Sequence, residues 1–180
     1  MTESLQIALW GCGNMGNSLA RALAATGQAH LAALYDLSPQ AAAAAAEAYG
    51  SQAAESAEAL LSTPGLDGVI VALPPYLHAP AAVQAAQAGI DIFLEKPMST
   101  TVAGCQQILS AAKGRGVKLM IGQVLRYYEP YRSILRWCAE GRFGRIYAAS
   151  IWRMTNGKRW GGADSSTPAT WRASRASQAR

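Results

Sequence analysis

The stretch that decides the fold is L-Q-I-A-L-W-G-C-G-N-M-G, residues 5–16, in which a short apolar run leads directly into three glycines. Their spacing, G-x-G-x-x-G, is typical of the turn that binds the pyrophosphate of a dinucleotide. In such a turn Gly11 lets the chain reverse tightly, and Gly13 leaves room for a phosphate beside the backbone. Gly16 lets the following helix lie close to the sheet. We therefore predict a strand, a phosphate-binding turn and a helix in this order.

The sequence around the glycines meets the conditions that this motif requires. The next helix would open at Asn14 and Met15, whose amides would face the phosphates together with the positive end of the helix dipole. A second apolar run, residues 30–35, ends on Asp36, which lies 20 positions after Gly16. A carboxylate there can accept hydrogen bonds from the adenosine ribose hydroxyls. The alternative is a tight strand–helix turn in an unrelated α/β protein, with Asp36 as a plain turn residue.

Apolar strands alternate with helical segments through most of the chain. A continuous apolar run, typical of a parallel strand that is buried on both faces, occurs at 67–73. Further strands are expected at 90–94 and 118–121, and a short one at 52–53. The alternation predicts an α/β fold with a doubly wound parallel sheet, with strand order 3-2-1-4-5-6. In this arrangement the ligand crevice lies at the carboxyl ends of the strands.

The pattern changes after the sixth strand. Residues 130–140 predict an amphipathic helix, and residues 144–154 alternate as an antiparallel strand with one solvated face would. Residues 155–180 have no helical or strand period, so we expect a segment of low order. The helix residues expected to face inward are Tyr131, Ile134, Leu135 and Cys138.

Composition excludes several classes of protein. Of 180 residues 51% are hydrophobic and 15% charged, and no apolar run approaches the roughly 20 residues that cross a bilayer. The N-terminus lacks the pattern of a signal peptide, so we expect a cytoplasmic location. The three cysteines are odd in number and widely spaced, which argues for reduced thiols and against disulfides or a metal site.

The net charge of +5 is concentrated near the C-terminus. Residues 1–141 carry 8 basic and 10 acidic side chains, net −2, whereas residues 142–180 carry 8 basic and 1 acidic, net +7. A nucleic-acid-binding domain shows its basic stripe on a folded face, interleaved with aromatic side chains. We therefore expect neither nucleic acid nor membrane as a partner. The weakest hypothesis is a tail that binds nucleic acid or another partner through Arg172, Arg175 and Arg180.

Four segments, taken in order, resemble one protein family. They are G-C-G-N-M-G at 11–16, V-I-V-A-L-P-P-Y-L-H at 69–78, E-K-P at 95–97 and G-Q-V-L-R-Y-Y-E-P-Y at 122–131. Together they resemble the Gfo/Idh/MocA oxidoreductases, the group of glucose–fructose oxidoreductase and inositol dehydrogenase. The resemblance covers residues 5–152. It implies an N-terminal Rossmann domain that binds NAD or NADP, and hydride transfer between nicotinamide and a hydroxyl or carbonyl carbon of a sugar or polyol.

The resemblance also implies which residue carries chemistry. Lys96 would be catalytic, donating to the nicotinamide ribose and to the substrate oxygen; the alternative is a solvated surface lysine. Glu95 would orient Lys96 or contact the cofactor, and Pro97 biases Lys96 away from helical backbone angles. Arg126 would lie on the substrate side, or it would pair with Glu129 at a helix start.

On the cofactor side, the resemblance implies that Leu73 and Pro74 form a wall at the adenosine. We expect His78 to position its loop and not to act as an acid–base catalyst. Asp36 would repel a 2′-phosphate, and residues 37–39 supply no cation to neutralise one, so NAD is expected rather than NADP. The expected cofactor contacts are Gly11, Gly13, Asn14, Met15, Gly16, Asp36, Leu73, Pro74, His78, Glu95, Lys96 and Pro97.

The expected domains follow from the same resemblance. Residues 1–122 would form the dinucleotide-binding domain, 123–154 the start of an incomplete substrate and oligomerisation domain, and 155–180 a basic tail of low order. The family's acid–base pair, an aspartate and a histidine on a later helix, follows the last matched segment, and neither His30 nor His78 corresponds to it. We therefore expect the cofactor half of a truncated sugar or polyol dehydrogenase, inactive alone, from a family whose full-length members form homo-oligomers. The alternative is a dinucleotide-binding module without turnover.

Overall fold

Residues 4–152 are described by a computed structural model, in which six parallel strands form one sheet. The strands are β1 (Leu5–Trp10), β2 (Ala29–Tyr35), β3 (Gln52–Ala53), β4 (Gly68–Val71), β5 (Asp91–Leu94) and β6 (Leu119–Ile121). The helices are α1 (Asn14–Thr26), α2 (Pro39–Tyr49), α3 (Ala57–Leu61), α4 (His78–Gln87), α5 (Val102–Arg115) and α6 (Glu129–Ala139). The strand order β3-β2-β1-β4-β5-β6 confirms the predicted order and the doubly wound fold.

The central strands send alternate side chains into two separate cores. Leu9 of β1 and Ile70 of β4 belong to the core that includes residues of α1 and α2. Their neighbours Trp10 and Val71 belong to the core on the other face, with residues of α3, α4 and α5. Because helices cover both faces, every residue of β4 is buried, which explains its uninterrupted apolar sequence.

Of the six helices among the described residues, three start with a side-chain cap, and α1, α4 and α6 do not. Ser38, Ser56 and Thr101 each accept a hydrogen bond from an amide in the first turn of α2, α3 and α5. Such a cap stabilises a helix by about 1 kcal/mol. At the start of α1 the corresponding position is Gly13, which has no side chain. The first amides of α1 therefore remain available to another acceptor.

The strand order places a crevice at the carboxyl end of β1. This strand lies between β2 and β4, and the chain winds outward from β1 in one direction and from β4 in the other. The loops that leave β1 and β4 consequently diverge, and open parallel sheets bind their ligands at this point. The glycine turn follows β1 directly, so the fold puts it at the crevice.

Contacts within the chain divide the protein into two units after Gly122, and the second unit begins at Gln123. It contains a 3₁₀ turn, Val124–Tyr127, followed by α6. No residue of α6 is buried, and Ile134 and Leu135 are 44% and 66% exposed. The prediction that the apolar face of α6 points into a core is therefore wrong for the described residues. The described part of this unit contains no strand or second α-helix that could cover that face.

The prediction of a strand at 144–154 is also wrong for the described residues of this range, because residues 144–152 form no strand. A strand is stable when its backbone N–H and C=O groups pair with a neighbour. Within the described residues of this unit there is no strand to supply that pairing. The segment 155–180, for which we predict low order, lies outside the described residues. Between residues 4 and 152, no helix has the length and hydropathy to cross a membrane.

Candidate functional site

The three glycines of the turn meet different surroundings. Gly11 has a φ of +103°, and a Cβ there would lie 2.6 Å from the carbonyl oxygen of Ala72. A Cβ on Gly16 would overlap the carbonyl oxygen of Gly11. At Gly13, in contrast, a Cβ would meet no atom within 4 Å. The fold therefore needs the first and third glycines for packing, whereas the second keeps open space beside the backbone.

The N-terminus of α1 presents amides that have no partner in the part of the chain that the structure describes. The first helical hydrogen bond runs from the amide of Asn17 to the carbonyl oxygen of Gly13, at 2.9 Å. The amides of Asn14, Met15 and Gly16 donate to no acceptor among residues 4–152. Free amides at the positive end of a 13-residue helix favour a bound anion.

The carboxylate of Asp36 fastens the end of β2 to the glycine turn. Its Oδ2 accepts the backbone N–H of Cys12 and its Oδ1 accepts that of Ser38, each at 2.8 Å. The backbone adds a parallel link, because the amide of Gly11 donates to the carbonyl oxygen of Tyr35 at 2.8 Å. A carboxylate oxygen can accept more than one hydrogen bond, so Asp36 retains acceptor capacity for a ligand hydroxyl.

The thiol of Cys12 is a buried, protonated group beneath the turn. Burial, and next to it the negative charge of Asp36, raise the pKa of Cys12 from 9.0 to about 12. Its Sγ lies 3.8 Å from the carbonyl oxygen of Tyr35. Since the thiolate is the reactive form, this cysteine fills space and does not serve as a nucleophile.

A buried histidine joins the two loops on the other side of the crevice. His78 is fully buried; its Nδ1 lies 2.6 Å from the carbonyl oxygen of Pro97 and its Nε2 2.8 Å from that of Leu73. Leu73 belongs to the loop after β4 and Pro97 to the loop after β5. The imidazole therefore fills the gap between these loops, and the ring nitrogen that carries the proton donates to the carbonyl oxygen it faces.

Glu95 and Lys96 follow β5 directly and point to different surroundings. The Glu95 side chain is buried, and its Oε2 accepts the backbone N–H of Lys96 at 3.0 Å. Its Oε1 lies close to Gly122, where an added Cβ would be 3.0 Å away. Lys96 is exposed, and its ammonium forms no ion pair with a carboxylate among the described residues. Glu95 thus orients the Lys96 backbone and leaves the ammonium free.

The remaining expected site residues lie on either side of the boundary between the two units. Leu73 and Pro74 are half-buried in the loop after β4, and a Cβ on Gly11 would approach the Leu73 side chain to 3.2 Å. Arg126 is exposed in the second unit. The alternative that it pairs with Glu129 is wrong, because Glu129 instead lies 3.8 Å from the Arg136 guanidinium.

Sequence analysis did not identify two contacts that shape the turn. One is the pair of backbone amides on Asp36; the G-x-G-x-x-G spacing points to this carboxylate but says nothing about which donors it holds. The other is Asn17, whose side-chain amide reaches back to the carbonyl oxygen of Cys12 at 2.6 Å. Its place directly after the third glycine is the only signal that could have singled it out.

Comparison with known proteins identifies the family. The model of the Gfo/Idh/MocA oxidoreductase family, whose description is an NAD-binding Rossmann fold, matches residues 5–123. The chain therefore belongs to this family, as the sequence motifs indicate. Inositol 2-dehydrogenase from Rhizobium meliloti is 30% identical over 151 residues, which is 82% of this chain and 44% of that enzyme.

Two crystal structures show the likeness in three dimensions. The WlbA dehydrogenase from Bordetella pertussis, in complex with NADH and UDP-GlcNAcA, superposes with a TM-score of 0.78 at 30% identity, over 82% of this chain and 43% of that one. The 3-ketoreductase KijD10 from Actinomadura kijaniata, in complex with NADP and TDP-benzene, gives a TM-score of 0.72 at 26% identity, over 77% and 43%. The chain thus spans less than half the length of these relatives.

Proposed function

We propose that this chain binds NAD(H) at the carboxyl ends of β1 and β4, as the cofactor-binding half of an oxidoreductase that acts on a sugar or polyol. The observation that carries the proposal is the uncapped N-terminus of α1. Three amides at the positive end of this helix donate to no acceptor among residues 4–152, and the space beside Gly13 is open, at the point where the strand order reverses.

The residues at this crevice fit a dinucleotide. The amides of Asn14, Met15 and Gly16 would donate to the pyrophosphate, and the absence of a side chain at Gly13 lets the phosphates approach the backbone. Asp36 would accept the adenosine ribose hydroxyls with its remaining lone pairs. When bound, the nicotinamide supplies the site that gives or takes the hydride.

Asp36 also favours NAD over NADP. Two backbone hydrogen bonds fix its carboxylate, so it cannot easily turn away from a ligand. A 2′-phosphate on the ribose would bring a second negative charge against it, and residues 37–39 (Leu, Ser, Pro) contain no cation. NADP binding would therefore carry an electrostatic cost that NAD binding does not.

Lys96 is the residue that we propose for the chemical step. Its ammonium is exposed at the end of β5, with Glu95 holding its backbone. There it would donate to the nicotinamide ribose and to the substrate oxygen. A positive charge at that oxygen stabilises the negative charge that develops when the neighbouring carbon loses a hydride.

The proposed roles of the other residues complete the site. Leu73 and Pro74 would form the wall beside the adenosine, and Arg126 would contact the substrate. His78 would act through the two loops that it joins. Residues 123–154 would begin the substrate and oligomerisation domain.

Lysine acylation with and without NADH tests this placement of the cofactor. The intact chain is treated with an acetylating reagent, and labelling at each lysine is measured by mass spectrometry. We expect saturating NADH to lower the labelling of Lys96. Lys113 is the matched control. It is exposed in the last turn of α5, which leads to the start of β6, whereas the proposed site lies at the carboxyl ends of the strands. Its labelling should therefore not change. Equal labelling of Lys96 with and without bound NADH would contradict the proposal.

A further inference from the structure

Asn17 and Tyr49, to which the proposed function gives no role, form a hydrogen-bond network with the glycine turn. The side-chain Nδ2 of Asn17 donates to the carbonyl oxygens of Cys12, at 2.6 Å, and Gly13, at 3.2 Å. The hydroxyl of Tyr49 lies 3.0 Å from the backbone carbonyl oxygen of Asn17 and 3.4 Å from its Oδ1. The network thus connects the turn to the last residue of α2.

The partners determine the orientation of the Asn17 amide. Two carbonyl oxygens face one end of the group, so the NH₂ must lie there, because an oxygen in its place would have no donor. The other end faces the Tyr49 hydroxyl, whose single proton can be donated to the backbone carbonyl oxygen of Asn17, the closer acceptor, or to Oδ1. Asn17 and Tyr49 are both half-buried, and the arrangement is satisfied at each end.

Holding these carbonyls also fixes the amides that follow them. A peptide group is planar and trans, so its C=O and N–H bonds point in opposite directions. When Asn17 holds the carbonyl of Cys12, the N–H of Gly13 is turned the other way. The same applies to the carbonyl of Gly13 and the N–H of Asn14. Neither the amide of Gly13 nor that of Asn14 donates to an acceptor among the described residues.

We propose that Asn17 is a positioning residue for the cofactor pyrophosphate and that Tyr49 holds Asn17 in place. The inference rests on the proposed function, since it assumes that a dinucleotide occupies the turn. Asn17 would not touch the cofactor; it would act by keeping the amides of Gly13 and Asn14 directed at the phosphates. Preorganised donors of this kind bind an anion without first reorienting.

The position of Asn17 within α1 argues against a role in helix stability. Asn17 is the fourth residue of α1, and asparagine inside a helix is less favourable than alanine by a few tenths of a kcal/mol or more. Its backbone amide already makes the first helical hydrogen bond, so the side chain is not needed to start the helix. The side chain instead donates hydrogen bonds to the carbonyl oxygens of Cys12 and Gly13 in the turn.

Binding assays on Asn17→Ala and Tyr49→Phe test the proposal. Dissociation constants for NADH are measured by fluorescence titration, and those for ADP and adenosine by NMR, because adenosine lacks the phosphates. We expect Asn17→Ala to weaken NADH and ADP binding by about tenfold, the effect of one or two hydrogen bonds, and to leave adenosine binding unchanged. Tyr49→Phe, which keeps the ring and removes only the hydroxyl, should weaken NADH and ADP by a smaller factor in the same pattern.

Ser51→Ala is the matched control. Ser51 is also half-buried, and its hydroxyl donates a hydrogen bond to a backbone carbonyl oxygen, that of Leu31, away from the turn. Its affinities should equal those of the wild type. Equal loss of ADP and adenosine binding in the Asn17 and Tyr49 variants would show a general structural effect and overturn the proposal, as would unchanged NADH binding. If Asn17→Ala does not fold, Tyr49→Phe decides by the same criteria. Failure of the folded wild type to bind NADH would overturn the proposed function itself.

Discussion

The carboxylate of Asp36 accepts the backbone N–H of Cys12 at 2.8 Å, across 24 residues of sequence. This hydrogen bond joins the residue that we propose to discriminate at the ribose to the turn that we propose to bind the pyrophosphate. Since Ser38 donates to the second oxygen, the carboxylate is held from both sides. In the proposed site, one side chain would therefore couple cofactor preference to turn geometry.

We expect Asp36→Ala to relax the preference for NADH over NADPH by about tenfold, a change of about 1.4 kcal/mol, because the fixed negative charge is lost. The ratio of the two dissociation constants, from parallel fluorescence titrations, is the measurement. Asp67→Ala is the control: Asp67 also accepts a backbone N–H, that of Gln6 at 2.7 Å, but near the start of β1 and away from the glycine turn. NADPH binding as tight as NADH in the wild type would contradict this account of Asp36.

Alanine at the glycines should separate packing from cofactor binding. Gly16→Ala forces a Cβ onto the carbonyl oxygen of Gly11, so we expect a loss of about 3 kcal/mol in the free energy of unfolding, measured by urea denaturation. Gly13→Ala places its Cβ in open space and should leave the free energy of unfolding nearly unchanged. Gly114→Ala, also in open space but near the end of α5, is the control. Equal stability of the Gly16 and Gly13 variants would refute the packing argument.

His78→Leu should destabilise the protein by about 1–3 kcal/mol, because it removes the only side chain that bridges the carbonyl oxygens of Leu73 and Pro97 among the described residues. Urea denaturation measures the change. His30 provides the control, since it is exposed on β2 and His30→Leu should change stability by no more than a few tenths. If the two substitutions cost the same, His78 does not hold the loops.

The thiol of Cys12 should contribute a pH dependence to stability above pH 9. Its pKa is about 12 in the folded protein and 9.0 without the surroundings of the fold, so the unfolded chain loses this proton first. The contribution is fully present below pH 9 and is lost as the pH rises toward 12. We expect the free energy of unfolding to fall less over this range in Cys12→Ala than in the wild type, with Cys105→Ala as the control. An identical pH profile for wild type and Cys12→Ala would exclude the effect.

The Rossmann fold could be predicted from sequence because its signals are local. Each buried strand is an apolar run, and helix caps such as Ser38 and Thr101 mark the starts of helices. The glycine spacing fixes which strand precedes the turn. The strand order then follows from the alternation of strands and helices and from the rules of doubly wound sheets.

The predictions that failed depend on partners that are distant in sequence. The apolar face at Ile134 and Leu135 indicates a helix that packs, but the pattern does not say whether a layer lies over it. The Asn17–Tyr49 contact joins residues 32 positions apart, and neither residue belongs to a motif. Periodicity therefore identifies elements, whereas side-chain networks between elements require the three-dimensional structure.

Fluorescence titration with NADH, on the intact chain and on Gly13→Ala, tests the central claim most directly. The account predicts saturable binding by the wild type and at least tenfold weaker binding by Gly13→Ala, because the added methyl group occupies the space that the pyrophosphate requires. Urea denaturation of both proteins verifies that the fold is unchanged. A folded wild type that shows no saturable NADH binding, or a Gly13→Ala variant that binds as tightly, would contradict it.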